Sequence, residues 1–212
     1  MLKKGSVFRW LTGIIILLGL SACKIDMEQE IWLKKDESGK VSLKIDMQIP
    51  VGIDNVTPEL KQLYSVNAFY PLAEIAEKTP GIVITELSQR ENHSDKDTHF
   101  TYWMNFTFEN MEGLNKVLSA KGKNAISLVK EGKNRILSIE TDDLALLESE
   151  DIDYSWFELL EINFHNKIHL PAKIKKIDDG GYGKCTGKTA SWNIAFDDDW
   201  LSSKSHLLYV IY

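Results

Sequence analysis

Apolar and polar positions alternate with period two along much of the chain. Val41, Leu43, Ile45, Met47 and Ile49 alternate with Ser42, Lys44, Asp46 and Gln48, the pattern of a strand buried on one face. The preceding stretch, 24–34, carries Ile25, Met27, Ile31 and Leu33 and predicts a second strand, joined to the first by a turn at Asp36-Glu37-Ser38-Gly39. Another hairpin is predicted from 82–90 and 98–108 around the polar run Glu91 to Asp97. In its second arm Phe100, Tyr102, Met104, Phe106 and Phe108 share a face. A third hairpin joins 124–130 to 134–140 through Glu131-Gly132-Lys133. A long strand follows at 157–170, with Leu160, Ile162, Phe164, Ile168 and Leu170 on one face. Then come 187–196, with Ala190, Trp192, Ile194 and Phe196, and a last strand at 207–212.

Helical spacing appears between the hairpins. Thr57-Pro58 is a helix start, because Thr caps and Pro is pre-set for the first position; Leu60, Leu63 and Tyr64 follow on one face. Pro71 opens a short segment with Leu72, Ile75 and Ala76, ended by Pro80. Asn110 caps a helix with Met111, Leu114, Val117 and Leu118 inward, stopping near Gly122. Asp142 and Asp143 suit one more start, with Leu144 and Leu147 inward. The rhythm predicts an α+β fold: an antiparallel sheet built from successive hairpins, with short helices packed on one face. Alternating strands speak against a doubly wound parallel sheet, whose strands are apolar throughout.

The first 23 residues stand outside this pattern. Lys3, Lys4 and Arg9 precede an apolar run from Leu11 to Leu20 that is too short for a confident membrane span. The run ends in Leu20-Ser21-Ala22-Cys23, which resembles the lipobox of bacterial lipoproteins. The resemblance implies that Cys23 is lipidated on sulfur, that the signal peptide 1–22 is removed, and that the new amine is acylated. The mature chain 23–212 is then expected to be a single α+β domain. Removal of three positive charges takes the formal charge from −6 to −9. An anionic body is repelled by anionic lipid, so acyl chains and not basic residues must hold it at the membrane. Lys24 occupies the position where Asp retains such proteins in the inner membrane. The expected address is therefore the cell envelope, at an outer membrane facing the periplasm or the cell surface.

Composition changes the picture mainly by exclusion. The chain has 212 residues, 43% hydrophobic and 26% charged, so neither disorder nor a polytopic membrane protein is expected. Its net negative charge disfavours nucleic acid as a partner. With Cys23 lipidated, Cys185 has no partner in the chain and reads as a small, unreactive residue. Gly180 to Thr189 looks like a phosphate loop, but Tyr182 stands where the first glycine is required, and a strand follows where a helix should open. No nucleotide is expected. His165 and His169 are four apart on a predicted strand, about 13 Å at 3.3 Å per residue, too far for one metal. The acidic runs at 148–153 and 197–199 lack calcium-loop spacing and read as solvated turns. There is no nucleophile elbow, and no cofactor, metal or catalytic set is expected.

The aromatics are the remaining signal. Trp32 and Trp103 fall on the faces opposite their strands' apolar rows. Trp32, Trp103, Phe106 and Trp192 are the candidates for an apolar ligand groove, against the alternative that they are core. Leu170-Pro171-Ala172-Lys173-Ile174, the Gly-rich loop, and Gly187-Lys188-Thr189-Ala190-Ser191-Trp192 are similar to the ending of LppM-domain bacterial lipoproteins; the early hairpin with Ser38-Gly39 at its turn is similar too. That resemblance implies an α+β envelope domain, with lipid or glycolipid binding in some members and no catalytic residues. The expected function is a non-catalytic, membrane-anchored lipoprotein binding a lipid, glycolipid or envelope protein near the membrane surface. The alternatives are an envelope hydrolase assembled from scattered carboxylates and histidines, and a structural or assembly accessory.

Overall fold

The computed structural model describes residues 24–50, 67–94, 97–118, 126–140, 161–178, 182–195 and 207–212. The first two strands, β1 (Lys24–Leu33) and β2 (Gly39–Pro50), pair antiparallel over their whole lengths, as the alternation predicts. Their odd-numbered apolar residues from Ile25 to Ile49 are buried, apart from Gln29 and the turn positions. Gly39 is required at the turn: a Cβ there would stand 2.1 Å from the Trp32 carbonyl oxygen and 2.6 Å from the Phe108 ring.

After β2 the chain reaches α1 (Tyr70–Glu77), with Pro71 in its first turn and Leu72, Ala73 and Ala76 buried. Asn67 pins its entrance, donating to the Ser88 carbonyl at 2.7 Å and accepting from the Phe69 N–H at 2.9 Å. The hairpin β3 (Ile82–His93) and β4 (Asp97–Phe108) follows, with longer arms and a shorter turn than expected. The register shifts between Ile84 and Glu86, a bulge in the outermost strand. Asn110 caps α2 (Met111–Leu118), accepting from the Gly113 N–H at 2.8 Å as its residue type predicts. The third hairpin is β5 (Ile126–Glu131) and β6 (Asn134–Glu140). Then come β7 (Glu161–His169), β8 (Lys176–Asp178), β9 (Gly183–Thr186), β10 (Thr189–Ala195) and β11 (Leu207–Ile211).

The strands form two sheets, so the expectation of one antiparallel sheet needs correction. The larger runs β3-β4-β2-β1-β7-β10-β9, and the smaller runs β5-β6-β11-β8. The third hairpin leaves the first sheet and recruits the C-terminal strand instead. β1 and β7 pair parallel, Lys24 opposite Glu161 through Trp32 opposite His169. The fold is α+β with sheet dominant. The helices at Thr57 and Asp142 lie outside the described residues.

One face of the larger sheet is the inner face. α1 packs against β3, and α2 against β4 and β5. A small apolar cavity lined by Ile31, Leu33, Ile168, Met111, Leu114, Ile126 and Leu137 marks where α2 and the smaller sheet meet the inner face. Asn115 fixes that junction: its amide donates to the Ile126 carbonyl at 2.7 Å and accepts from the Ile126 N–H at 2.8 Å. The buried side chains form one continuous cluster.

Candidate functional site

The outer face of the larger sheet carries the even-numbered residues of β1 and β2 and their neighbours. At the end where β1 begins, the Lys24 ammonium lies 3.0 Å from Glu161 and 3.7 Å from Asp26. Glu161, then Asp26, hold its pKa above the usual value. Asn163 donates to Asp26 at 2.9 Å. One step along, Lys44 bridges Glu28 at 3.1 Å and Asp46 at 2.5 Å. The next step joins β1 to β7: Glu30 meets Lys167 at 3.2 Å and His169 Nε2 at 2.5 Å. Burial alone pushes the Glu30 carboxyl up, but hydrogen bonds from His169 and Lys167 outweigh it and its pKa is lowered. His169 Nδ1 lies 3.1 Å from Thr189 Oγ1.

Trp32 sits at the far end of this network. Its indole stacks on His169, centroids 5.1 Å apart and planes 6° from parallel. The Lys40 ammonium stands 3.9 Å from the ring centroid. β2 and β7 flank β1, so Lys40 and His169 close on the indole from its two sides. The outer face is thus a woven surface of ion pairs across strands. The pKa values of Glu30, Asp97 and Glu161 are lowered, and those of Lys24 and Lys44 are raised.

The inner face holds a different feature. One row crosses all seven strands: Leu87, Met104, Leu43, Gln29, Asn166, Trp192 and Gly183. It is apolar over β3, β4 and β2 and polar over β1 and β7. Asn166 is 1% exposed and Trp192 0%. Among the described residues neither Asn166 Nδ2 nor Oδ1 nor Trp192 Nε1 has a hydrogen-bond partner. Unpaired polar atoms at the centre of a sheet are rare in native proteins. Gln29, half-buried on β1, is the cross-strand neighbour of Asn166.

The four aromatic candidates do not come together. Phe106 and Trp192 are fully buried on the inner face, among the largest buried side chains. Trp32 and Trp103 lie half-buried on the outer face, because their even and odd numbers fall on opposite phases of their strands' alternation. No groove lined by all four exists, since the sheet itself separates the pairs. Cys23 lies outside the described residues. Cys185 is exposed on β9. The Gly-rich stretch proves to be a hairpin: β9 occupies 183–186, Gly187 turns with φ 63°, and β10 follows. Lys188 points its ammonium at the Pro171 carbonyl, 3.1 Å away. His165 and His169 are both strand residues of β7, His165 against Asn193 at 3.0 Å.

The Asn166 row and the Glu30–His169 pair went unread in the sequence. A signal existed for the first: Asn166 interrupts the apolar face of β7, and Gln29 interrupts that of β1, at positions that prove to be adjacent. Nothing local signals that two strands so far apart in sequence pair in parallel.

No family model matches the chain, and no curated protein matches it. Among solved structures it is similar to the folded domain of LppM from Mycobacterium tuberculosis, with TM-score 0.42 and 10% identity, over 100% of this chain and 92% of that one. It also aligns with an M1 zinc metallopeptidase of Deinococcus radiodurans, with TM-score 0.30 and 6% identity, over 89% of this chain and 41% of that one.

Proposed function

We propose that the chain is a lipid-anchored envelope lipoprotein whose body is a non-catalytic binding module held at the membrane surface, with a lipid, a glycolipid or an envelope protein as its partner there. The observation that carries this reading is the start of β1. The residue after the lipobox cysteine is already the first of a fully paired strand, opposite Gln48 on one side and Glu161 on the other. No polar tether intervenes between Cys23 and the body. Two or three extended residues would reach only about 10 Å, so a body acylated at Cys23 meets partners at that surface. The binding reading is supported by the outer face, where the charges are committed to one another in ion pairs.

The test has two arms. Cys23→Ala should leave the precursor uncleaved and without acyl label, and an unmodified Cys23 in the mature wild-type protein refutes the anchor. A long Gly/Ser tether inserted between Cys23 and Lys24 should impair the envelope phenotype that deletion reveals. Full rescue by both the tethered form and a soluble, unlipidated form refutes the membrane-proximal role.

A further inference from the structure

Four loops meet at the end of the molecule opposite Lys24, and they are stitched into one surface. Arg135, after the β5–β6 turn, donates to the Lys35 carbonyl at 3.4 Å and pairs with Glu37 at 3.5 Å in the β1–β2 turn. Lys175 donates to Asn134 at 2.6 Å. The Ile174 N–H donates to the Gly187 carbonyl at 2.9 Å, and Lys188 reaches Pro171. Segments 34–38, 130–135, 171–176 and 184–188 are therefore neighbours.

Their charge is lopsided. Together they carry ten Lys and Arg against three acidic residues, Asp36, Glu37 and Glu131, or about +7 in a chain whose total is −6. Lys34, Lys35, Lys130, Lys133, Lys173 and Lys184 are exposed and make no ion pair among the described residues. A concentration of like charge costs stability through self-repulsion, and it attracts a polyanion.

We propose that this basic pole docks an anionic polysaccharide, a glycan chain bearing repeated carboxylate or phosphate groups. Three features select that partner. The cations are nearly all lysines, hydrated point charges suited to a flexible polyanion and not to one bidentate carboxylate. Among the described residues no fully exposed aromatic sits among them, as a protein interface would require at its centre: Tyr209, beside Lys176, is half-buried, Tyr70, Ile75 and Val83 belong to α1 and β3, and Val129 is at the margin. The pole also lies at the far end of β1, about 30 Å from Lys24 at 3.3 Å per residue. On the reading that Cys23 is the anchor, this end is the far end of the anchored strand.

The test uses the mature chain in detergent and immobilised polygalacturonate, with neutral dextran, poly-glutamate and phosphatidylglycerol vesicles alongside. Polygalacturonate should bind at low salt and release steeply as salt rises. Lys133→Glu/Lys173→Glu should weaken binding about tenfold, whereas Lys78→Glu/Lys116→Glu, the same charge change on α1's end and α2, should leave it nearly unchanged. Lys133 and Lys173 are exposed and unpaired among the described residues, so their variant should melt as wild type; the second pair gives up the Lys78–Glu74 contact at 3.8 Å and two cations at helix C-termini, so it should melt slightly lower while still binding nearly as wild type. Absence of binding, equal weakening by both pairs, equal binding to dextran, or preference for poly-glutamate or vesicles overturns the proposal. Cys23→Ala protein should bind the polysaccharide equally well, which separates this result from the fate of the anchor.

Discussion

Asn166 should be better replaced than kept, as far as stability is concerned. Its side chain is 1% exposed and neither polar atom is hydrogen-bonded among the described residues. An unpaired buried amide group costs about 1–3 kcal/mol in proteins. Leucine has the same number and branching of side-chain heavy atoms but is bulkier; burying it gains about 2 kcal/mol, offset by about 2 kcal/mol for accommodating the extra volume. Asn166→Leu should therefore stabilise the fold by about 1–3 kcal/mol, a rise in Tm of about 3–10 °C for a chain of this size. Trp192→Phe, which removes the unpaired N–H, should cost only its lost ring contacts. In a double-mutant cycle the two changes should show no hydrogen-bond coupling. The assay is urea unfolding of the mature chain, followed by tryptophan fluorescence for the first variant and circular dichroism for both. Destabilisation by more than about 1 kcal/mol in Asn166→Leu refutes the reasoning, because it means that a water or ligand satisfies the amide.

Asn115 is the opposite case. Asn115→Leu strands both backbone groups of Ile126 and should destabilise by about 2–4 kcal/mol in the same unfolding assay; a neutral result contradicts the clamp. Gly39→Ala places a methyl group against the Trp32 carbonyl and the Phe108 ring, and should lower stability by about 1–3 kcal/mol, read as a fall in urea midpoint. The Glu30 carboxyl has its folded pKa below its usual 4.5, so its contribution is complete above that value and lost as pH falls through the lower folded value. The urea midpoint should thus drop between about pH 5 and pH 3, and Glu30→Gln should flatten that slope without changing its sign.

The strands with strict alternation were legible because one face is buried and the other wet: β1, β2, β4 and β10 lie close to their expected bounds. The pairing of those strands was not legible. A period of two says that a face is buried and is silent about which strand lies beside it. The parallel contact of β1 with β7 joins residues more than 130 positions apart, Asp26 to Asn163 for example. The same limit separated the aromatic candidates: alternation placed Trp103 opposite Phe106 correctly, yet distance across a sheet is needed to see that such residues cannot share a groove. The Glu30–His169 pair and the Asn166 row are products of register, which only the assembled sheet defines.

The place of β1 in the sheet has a mechanical consequence. It is the middle strand of seven, bonded along one side to β2 and along the other to β7. A pull on Lys24 along the strand loads both ladders at once, in shear, and no bond can be peeled ahead of the rest. The same pull on an outermost strand such as β3 or β9 would be resisted on one side only. A protein tugged by its first residue therefore meets force with its broadest line of resistance, and gives way last where it is held.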